Sequence, residues 1–319
     1  MNIAPFQCIR ITCFLGLMLL GGMAKAEPLR FIALGDLPYR PQDEEAYYGL
    51  IQEINRQRPQ FSIFVGDTKS GGSPCSDTYL RKIHASFNLF ETPLIYTPGD
   101  NEWTDCHRLN AGAYDPIERL QFIRALHFAD AKSQGQHPIA LIRQADLEPQ
   151  FSEFVENAYW ITGKTLFATV HIVGSNNNFA QQAEYVPRNR ANLAWLETVF
   201  SVAKQGAIDH VVLAFQADLF YNTKSATSDQ SGLRDSILLL NKKLAEWAKP
   251  ALIIHGDSHR LIIDQPFKGT NANNNRRPLH QVYRVQVMGD EQVEAVEITI
   301  DSSKHSPFSF RPLLLPPKP

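Results

Sequence analysis

The sequence predicts an α/β (α+β) domain because short apolar segments alternate with amphipathic helical segments along most of the chain. Of its 319 residues, 44% are hydrophobic and 20% are charged, a balance typical of a globular protein and not of a disordered one. Lys and Arg number 31 against 33 for Asp and Glu, so no overall positive charge favours binding to nucleic acid. Four cysteines are too few for a scaffold held together by disulfides.

The alternation assigns the elements in chain order. Buried strands are predicted at Leu29–Leu34, Phe61–Val65, Leu94–Tyr96, Leu166–Val173, Val211–Phe215 and Leu252–Ile254. Helices are predicted around Tyr47–Ile54, Ile117–Leu126, Leu193–Phe200 and Ile237–Trp247. Asp115 and Pro116 supply an N-cap and a first-turn proline for the second helix. Leu261–Ile263, Val282–Val287 and Val293–Ile300 follow without helices between them and predict an antiparallel end to the domain.

The N-terminal 26 residues predict a secretory signal peptide, with a basic Arg10, an apolar stretch Ile11–Leu20 and an Ala24-Lys25-Ala26 ending. An uncleaved membrane anchor is the alternative, although the apolar stretch is short for a membrane span. We expect export to the periplasm or the medium. Residues 27–306 are expected to form one domain, with 130–157 as a helical insertion and 307–319 as a proline-rich tail.

Cysteine usage agrees with export. Cleavage after residue 26 would leave two cysteines, Cys75 and Cys106. Two cysteines in an oxidising compartment are expected to pair in a disulfide, with two free thiols as the alternative.

The most informative pattern is a Gly-Asp step that recurs directly after predicted strands. The four acids placed in this way are Asp36, Asp67, Asp100 and Asp257. Because the carboxyl ends of strands line the ligand crevice of an α/β sheet, we expect these carboxylates to converge. Converging carboxylates repel one another, so the simplest interpretation is a site for metal ions. Gly-Asp is also a common turn dipeptide, and this is our interpretation of the fifth step, Gly289-Asp290.

In motif order and strand context, the segment from about Leu29 to Asp264 resembles the calcineurin-like metallophosphoesterases. The motifs of that family are D-x-H, GD, GNH[DE], a histidine after a later strand, and GH-x-H. In this chain the matching positions are Asp36, Gly66-Asp67, Gly99-Asp100-Asn101-Glu102, Gln216 and Gly256-Asp257-Ser258-His259. The resemblance implies a four-layer α/β/β/α sandwich of two mixed sheets flanked by helices.

Several histidines of the family pattern are replaced, so the chain resembles a divergent member. Pro38, Asn101, Gln216 and Asp257 stand where the family has histidines, and Asp100 replaces an asparagine. Asp36, Asp67, Glu102 and His259 keep the family's residue types.

The resemblance implies two divalent metal ions bridged by Asp67. One ion would be bound by Asp36, Asp67 and His259, with Tyr39 as a further ligand or as a packing residue. The other would be bound by Asp67, Asp100, Gln216 and Asp257, where Gln216 is either a ligand or a hydrogen-bonding residue. Because oxygen donors dominate, we expect Mg²⁺, Mn²⁺ or Ca²⁺ rather than Zn²⁺ or Fe.

The family's chemistry is the hydrolysis of phosphate esters by a metal-bridged hydroxide that attacks phosphorus. The resemblance places Asn101 and Glu102 in the catalytic motif, where Asn101 can donate a hydrogen bond but cannot transfer a proton. His107 is a candidate replacement for the missing acid, and His255 is a weaker one. Lys69, Arg108, Asn176 and Asn177 are candidate substrate-binding residues in loops that follow predicted strands.

The leading functional hypothesis is an exported phosphoesterase that acts on a small phosphorylated substrate, as a mono- or diesterase. A catalytically reduced module that binds metal or another ligand on the same fold is the alternative. A third hypothesis is a serine esterase that uses Ser258, but the sequence shows no nucleophile elbow. Neither a nucleic-acid partner nor a membrane partner is expected after signal cleavage.

Overall fold

A computed structural model of the chain describes residue 1 and residues 27–221, 225–270 and 276–315. The predicted signal peptide thus lies outside the described residues. The helices are α1 (Glu44–Gln57), α2 (Asp77–Phe87), α3 (Pro116–His127), α4 (Gln144–Leu147), α5 (Gly174–Asn177), α6 (Gln182–Gln205) and α7 (Arg234–Trp247). Short 3-10 turns lie at Pro41–Asp43, Thr104–His107, Leu109–Ala111 and Pro149–Phe151. Among the described residues, no helix is both long and apolar enough to cross a membrane.

The strands form two large mixed sheets and one small hairpin. The strands are β1 (Leu29–Leu34), β2 (Ser62–Phe64), β3 (Leu94–Tyr96), β4 (Ile142–Arg143), β5 (Ala158–Thr162), β6 (Thr165–Thr169), β7 (His210–Ala214), β8 (Ala251–His255), β9 (Ile262–Asp264), β10 (Lys268–Thr270), β11 (Arg276–Pro278), β12 (Val282–Gln286), β13 (Ala295–Ile300) and β14 (Phe308–Leu313). The first sheet has the order β14-β13-β1-β2-β3, and the second has the order β4-β5-β6-β7-β8-β12-β9. Strands β1, β2 and β3 run parallel, and so do β6, β7, β8 and β12.

Three apolar clusters hold the layers together. The two sheets pack face to face, with Phe31 of β1 against Phe167 of β6 at 5.4 Å between ring centroids. Helices α1, α2 and α3 cover the outer face of the first sheet, and α6 and α7 cover that of the second. The helical spacing predicted for α1 is visible in its buried stripe Tyr47, Leu50, Ile51 and Ile54. The result is the predicted four-layer sandwich.

Two segments differ from the sequence-based expectation. The segment 130–157, expected to be a helical insertion, contains only the four-residue α4, one 3-10 turn and strand β4, which pairs with β5. The expected tail is not separate from the domain, because β14 pairs antiparallel with β13 at the edge of the first sheet. Alternating aromatic and polar residues between the prolines of this tail were the overlooked sign of a strand.

Candidate metal centre

The carboxyl ends of parallel strands from both sheets meet at one edge of the sandwich. Asp36, Asp67 and Asp100 follow β1, β2 and β3 of the first sheet, and Asp257 follows β8 of the second. Asp36, Asp67 and Asp257 have φ angles of 54°, 55° and 77°, in the left-handed region that short polar side chains tolerate better than most. These tight turns direct the four carboxylates towards one another.

Two of the four glycines leave room for the carboxylate of another step. A Cβ on Gly99 would lie 2.0 Å from Asp67 Oδ1, and one on Gly256 would lie 2.3 Å from Asp36 Oδ2. The fifth step is a turn, as expected, but it also supports the site. A Cβ on Gly289 would lie 2.2 Å from Asp36 Cβ, and Asp290 donates its backbone N–H to the Asp36 carbonyl at 3.0 Å. Any side chain at these glycines would displace a carboxylate.

The side chains form two triads that share Asp67. The first triad is Asp36, Asp67 and His259, and the second is Asp67, Asp100 and Asp257. Within each triad the potential ligand atoms lie within 4.8 Å of one another, as binding of one ion requires. These triads contain every ligand expected from the resemblance except Gln216.

The charges of the two triads call for cations. Burial, followed by repulsion from Asp100, raises the pKa of Asp67 well above its ordinary value. Burial and repulsion from Asp257 raise the pKa of Asp36 well above its ordinary value, and the same two causes raise that of Asp100 to about 7. Among the described residues, no Lys or Arg forms an ion pair with these carboxylates, and Asp100 Oδ1 has no hydrogen-bond partner. Divalent ions would neutralise this cluster, so the residues present fit such ions.

Comparison with known proteins identifies the fold. No protein-family model matches the sequence, and no curated protein matches it either. GAP50, the anchor in the inner membrane complex of Plasmodium, matches with a TM-score of 0.53 and 13% identity over 91% of this chain and 90% of its own. A dimetal phosphatase from Danio rerio matches with a TM-score of 0.51 and 9% identity over 91% of this chain and 100% of its own. The chain has a metallophosphoesterase fold. The sequence resemblance predicted this fold correctly.

Tyr39 lies at the centre of the first triad of this metallophosphoesterase fold. Its hydroxyl lies 2.9 Å from Asp67 Oδ2, 2.9 Å from His259 Nε2 and 3.4 Å from Asp36 Oδ1. Burial lowers the pKa of His259, which favours the neutral imidazole that binds metals. Tyr39 therefore places an oxygen where Pro38 has left the first motif without its histidine.

The amides that replace two family histidines both bind Asp67. Asn101 donates its side-chain NH₂ to Asp67 Oδ2 at 2.9 Å and its backbone N–H to Asp67 Oδ1 at 3.1 Å. Gln216 donates to Asp67 Oδ2 at 3.0 Å and accepts the Gly174 N–H at 2.5 Å through its amide oxygen. In this orientation Gln216 presents nitrogen to the cluster and positions Asp67, and its role as an oxygen ligand stays a prediction.

Glu102 is buried behind the cluster. Its Oε1 accepts the backbone N–H groups of Asp67 and Gly99 at 3.1 and 2.9 Å and the Tyr96 hydroxyl at 2.8 Å. These bonds tie together the turns after β2 and β3. The structure therefore gives Glu102 a positioning role, and its part in catalysis stays a prediction.

Lys69 and the cysteines form a second support below the site. Lys69, a candidate substrate-binding residue, is 0% exposed and donates to the carbonyl of Asn101 at 2.7 Å. Burial lowers the pKa of Lys69 to about 8. Cys75 and Cys106 form the expected disulfide, and both sulfurs lie within 3.8 Å of the same Asn101 carbonyl. Lys69 thus anchors the loops of the site and has no exposed surface for a substrate.

His107 and Arg108 lie beside the cluster. His107 is exposed, with Nδ1 2.7 Å from the Thr104 carbonyl, and it lines a neighbouring groove that contains no triad residue. Arg108 pairs with Asp105 at 2.7 Å. A Cβ on Gly71 would lie 2.6 Å from Arg108 Nη1 and 2.8 Å from Asn101 Oδ1, so both side chains pack against Gly71.

The asparagines of the 174–178 loop hold a neighbouring loop. Ser175, Asn176, Asn177 and Asn178 all have positive φ angles, so α5 is a left-handed turn. Asn176 exchanges hydrogen bonds with Gln230 and Gly232, and the buried Asn177 donates to the Gly232 carbonyl at 3.0 Å. The side chains expected to bind substrate therefore bind backbone, although Asn176 still lines the cavity described next.

A cavity of about 800 Å³ opens beside the triads and is here named the cluster cavity. Asp257 and His259 form one wall, and Ser175, Ser228 and Ser231 form another. Sequence reasoning missed Asp218, which follows Gln216 by two residues and also lines this cavity. Asp218 donates its backbone N–H to Asp257 Oδ2 at 3.0 Å and accepts the Ser258 hydroxyl at 2.6 Å. An acid shortly after the strand that precedes Gln216 was the available signal.

Proposed function

We propose that this protein is a metal-dependent hydrolase of phosphate esters that acts outside the cytoplasm after removal of residues 1–26. The observation that supports it most strongly is the pair of triads that share Asp67 at the edge of an open cavity. Two divalent ions held in this way would polarise the phosphoryl group and supply a nucleophilic hydroxide. The substrate would be a small phosphorylated molecule, with no nucleic-acid or membrane partner.

The donor set favours hard ions. Asp36, Asp67, Asp100 and Asp257 contribute carboxylates and Tyr39 contributes a hydroxyl, so His259 is the one nitrogen ligand within the two triads and Tyr39. Oxygen-rich sites suit Mg²⁺, Mn²⁺ and Ca²⁺ better than Zn²⁺ or Fe²⁺. We propose two ions of this class.

The chain's own residues would bind the phosphate and leave proton transfer unassisted. The guanidinium of Arg108, 43% exposed, packs against Gly71 beside Asn101 and would donate to a phosphate oxygen. Asn101 cannot give a proton to the departing alcohol, and His107 faces a different groove. Esters of acidic alcohols such as phenols, which leave without protonation, should therefore be the better substrates.

A metal- or ligand-binding module on the same fold is the second candidate. It is favoured by the amides of Asn101 and Gln216, which take the places of histidines and donate hydrogen bonds from their NH₂ groups to Asp67. GAP50, whose structure shares this fold, is an anchor in the inner membrane complex of Plasmodium, so the fold also occurs in a protein with an anchoring role. In this reading the ions would be structural.

One sample distinguishes the two candidates. The purified full-length chain would be analysed for bound metal by mass spectrometry and assayed with para-nitrophenyl phosphate and its bis ester in Mg²⁺, Mn²⁺, Ca²⁺ and Zn²⁺. The proposal expects bound metal and turnover in the wild type, and loss of both in Asp67→Asn. Asp146→Asn, at a surface ion pair with Arg143, is the control and should change neither. Bound metal without turnover would favour the module, and absence of bound metal would refute both the hydrolase and a module with structural ions.

A further inference from the structure

A second groove runs between α3 and α6 and meets the cluster cavity at Ser175. This α3–α6 groove has a volume of about 700 Å³, within the range of small-molecule sites. Both helices contribute apolar residues to its lining, Ile117 and Leu120 from α3 and Ala183 and Pro187 from α6. Ile117 is 39% exposed although it is a large apolar residue.

The groove is joined to the cluster cavity at one residue. Ser175 lines both, and it follows Gly174, whose Cβ would lie 2.6 Å from Asp100 Oδ1 and 2.7 Å from Asp257 Oδ1. The two spaces therefore meet beside the second triad. Ser175 donates to Asp105 at 3.0 Å, and Asp105 pairs with Arg108, so a cationic group stands at this junction.

The carboxylates that line the groove are bound by other groups of the protein. Each of the four carboxylates in its lining has a partner in the protein. They are Asp105, Asp115, Glu153 and Glu184, held by Arg108, the Ile117 N–H, Arg124 and Arg188. Apart from the Arg108 guanidinium at the junction, the groove therefore offers a ligand apolar surface, whereas Ser228, Ser231 and Ser258 line the cluster cavity.

We propose that the substrate is a phosphodiester with one polar alcohol and one apolar alcohol, the apolar group lying in the α3–α6 groove. This inference rests on the proposed function and adds the substrate class. A monoester has a single substituent and would leave one of the two spaces empty. A diester bound at the second triad places one substituent on each side of Ser175, and its single negative charge suits Arg108.

A chain-length series tests the proposal. The substrates are para-nitrophenyl phosphodiesters whose second alcohol is methanol, butanol or octanol, assayed with Mn²⁺. Burial of each methylene in the groove should raise kcat/KM about fourfold until the groove is filled. Ala183→Trp, in the groove lining, should abolish this increase, so that the methyl, butyl and octyl esters have similar kcat/KM values. Ala207→Trp, at an exposed position outside the groove, is the matched control and should keep the full increase.

Failure of this inference and failure of the proposed function give different results. If the methyl ester turns over and kcat/KM does not rise with chain length, the groove does not bind the apolar group, but the proposed phosphoesterase activity is retained. An equal rise in wild type and Ala183→Trp would place the apolar group elsewhere and also refute it. If no ester turns over, calorimetry with ethyl and octyl methylphosphonate still tests the groove. Tighter binding of the octyl compound to wild type than to Ala183→Trp supports it, and equal binding overturns it.

Discussion

Replacement of Asp100 by asparagine should stabilise the metal-free protein more at pH 8 than at pH 4. The Asp100 side chain is buried, its Oδ1 lacks a hydrogen-bond partner among the described residues, and Asp257 repels its charge. Burial and this repulsion raise its pKa from 3.8 to about 7. The ionised carboxylate therefore destabilises the folded state whenever no cation compensates it.

The magnitude follows from proton linkage. Because the folded pKa lies above the unfolded one, the destabilisation is absent below about pH 4, grows as the pH rises, and is complete above about pH 7. The difference between 3.8 and about 7 corresponds to about 4 kcal/mol. Asparagine has the same shape and no charge, so comparing its effect at the two pH values cancels contributions that do not titrate at Asp100.

The assay is urea unfolding of wild type and Asp100→Asn in chelator at pH 4 and pH 8. Asp146→Asn is the control, because Arg143 lowers the pKa of the exposed Asp146 and the variant should lose below about 1 kcal/mol at pH 8. Excess Mn²⁺ should then reverse the order at pH 8, since the ion binds wild type more tightly than the variant. An effect of Asp100→Asn that is equal at both pH values would refute the charge-cluster reasoning.

Four further outcomes are expected. Tyr39→Phe removes a hydroxyl 2.9 Å from Asp67 Oδ2, and metal titration should show an affinity about 10- to 100-fold lower; an unchanged affinity contradicts its central role. Joint replacement of Cys75 and Cys106 by serine opens a link across 31 residues, and urea unfolding should show a loss of about 3 to 4 kcal/mol; equal stability would contradict this. Ser258→Ala should retain turnover, because this hydroxyl donates to Asp218, and loss of turnover would revive the serine esterase reading. Phenyl phosphate should turn over at least about 10²-fold more slowly than the para-nitrophenyl ester, and equal rates would reveal a proton donor.

The sequence predicted the fold correctly where burial of an element determines its pattern of apolar residues. Strands of the parallel core are apolar on both faces, so β1 and β8 appear as continuous apolar segments. Strand β14 is a sheet edge with mixed burial and carries Pro312, so composition alone indicated a tail. The segment 130–157 forms few local hydrogen-bonded elements, and its path depends on contacts with β3 and β5 that periodicity does not encode.

The positions of site residues could be predicted at the strand ends but not in the loops. Topology fixes where a residue directly after a parallel strand lies, which is why the four Gly-Asp steps converge as expected. A loop residue can turn inward or outward, and sequence type alone does not decide between them. Lys69 turned inward to the Asn101 carbonyl, and Asn177 turned towards Gly232, although both residue types usually face solvent.

The replaced histidines are better understood together than singly. Asn101 and Gln216 both donate to Asp67 Oδ2, which also accepts the Tyr39 hydroxyl, so three neutral donors surround the one carboxylate that both triads share. Asp257 adds a fourth carboxylate where the family pattern has an imidazole. These exchanges leave the positions of the triads intact while replacing nitrogen donors by oxygen donors and amide N–H groups. The proposed preference for Mg²⁺, Mn²⁺ or Ca²⁺ and the proposed preference for acidic leaving groups both rest on these exchanges.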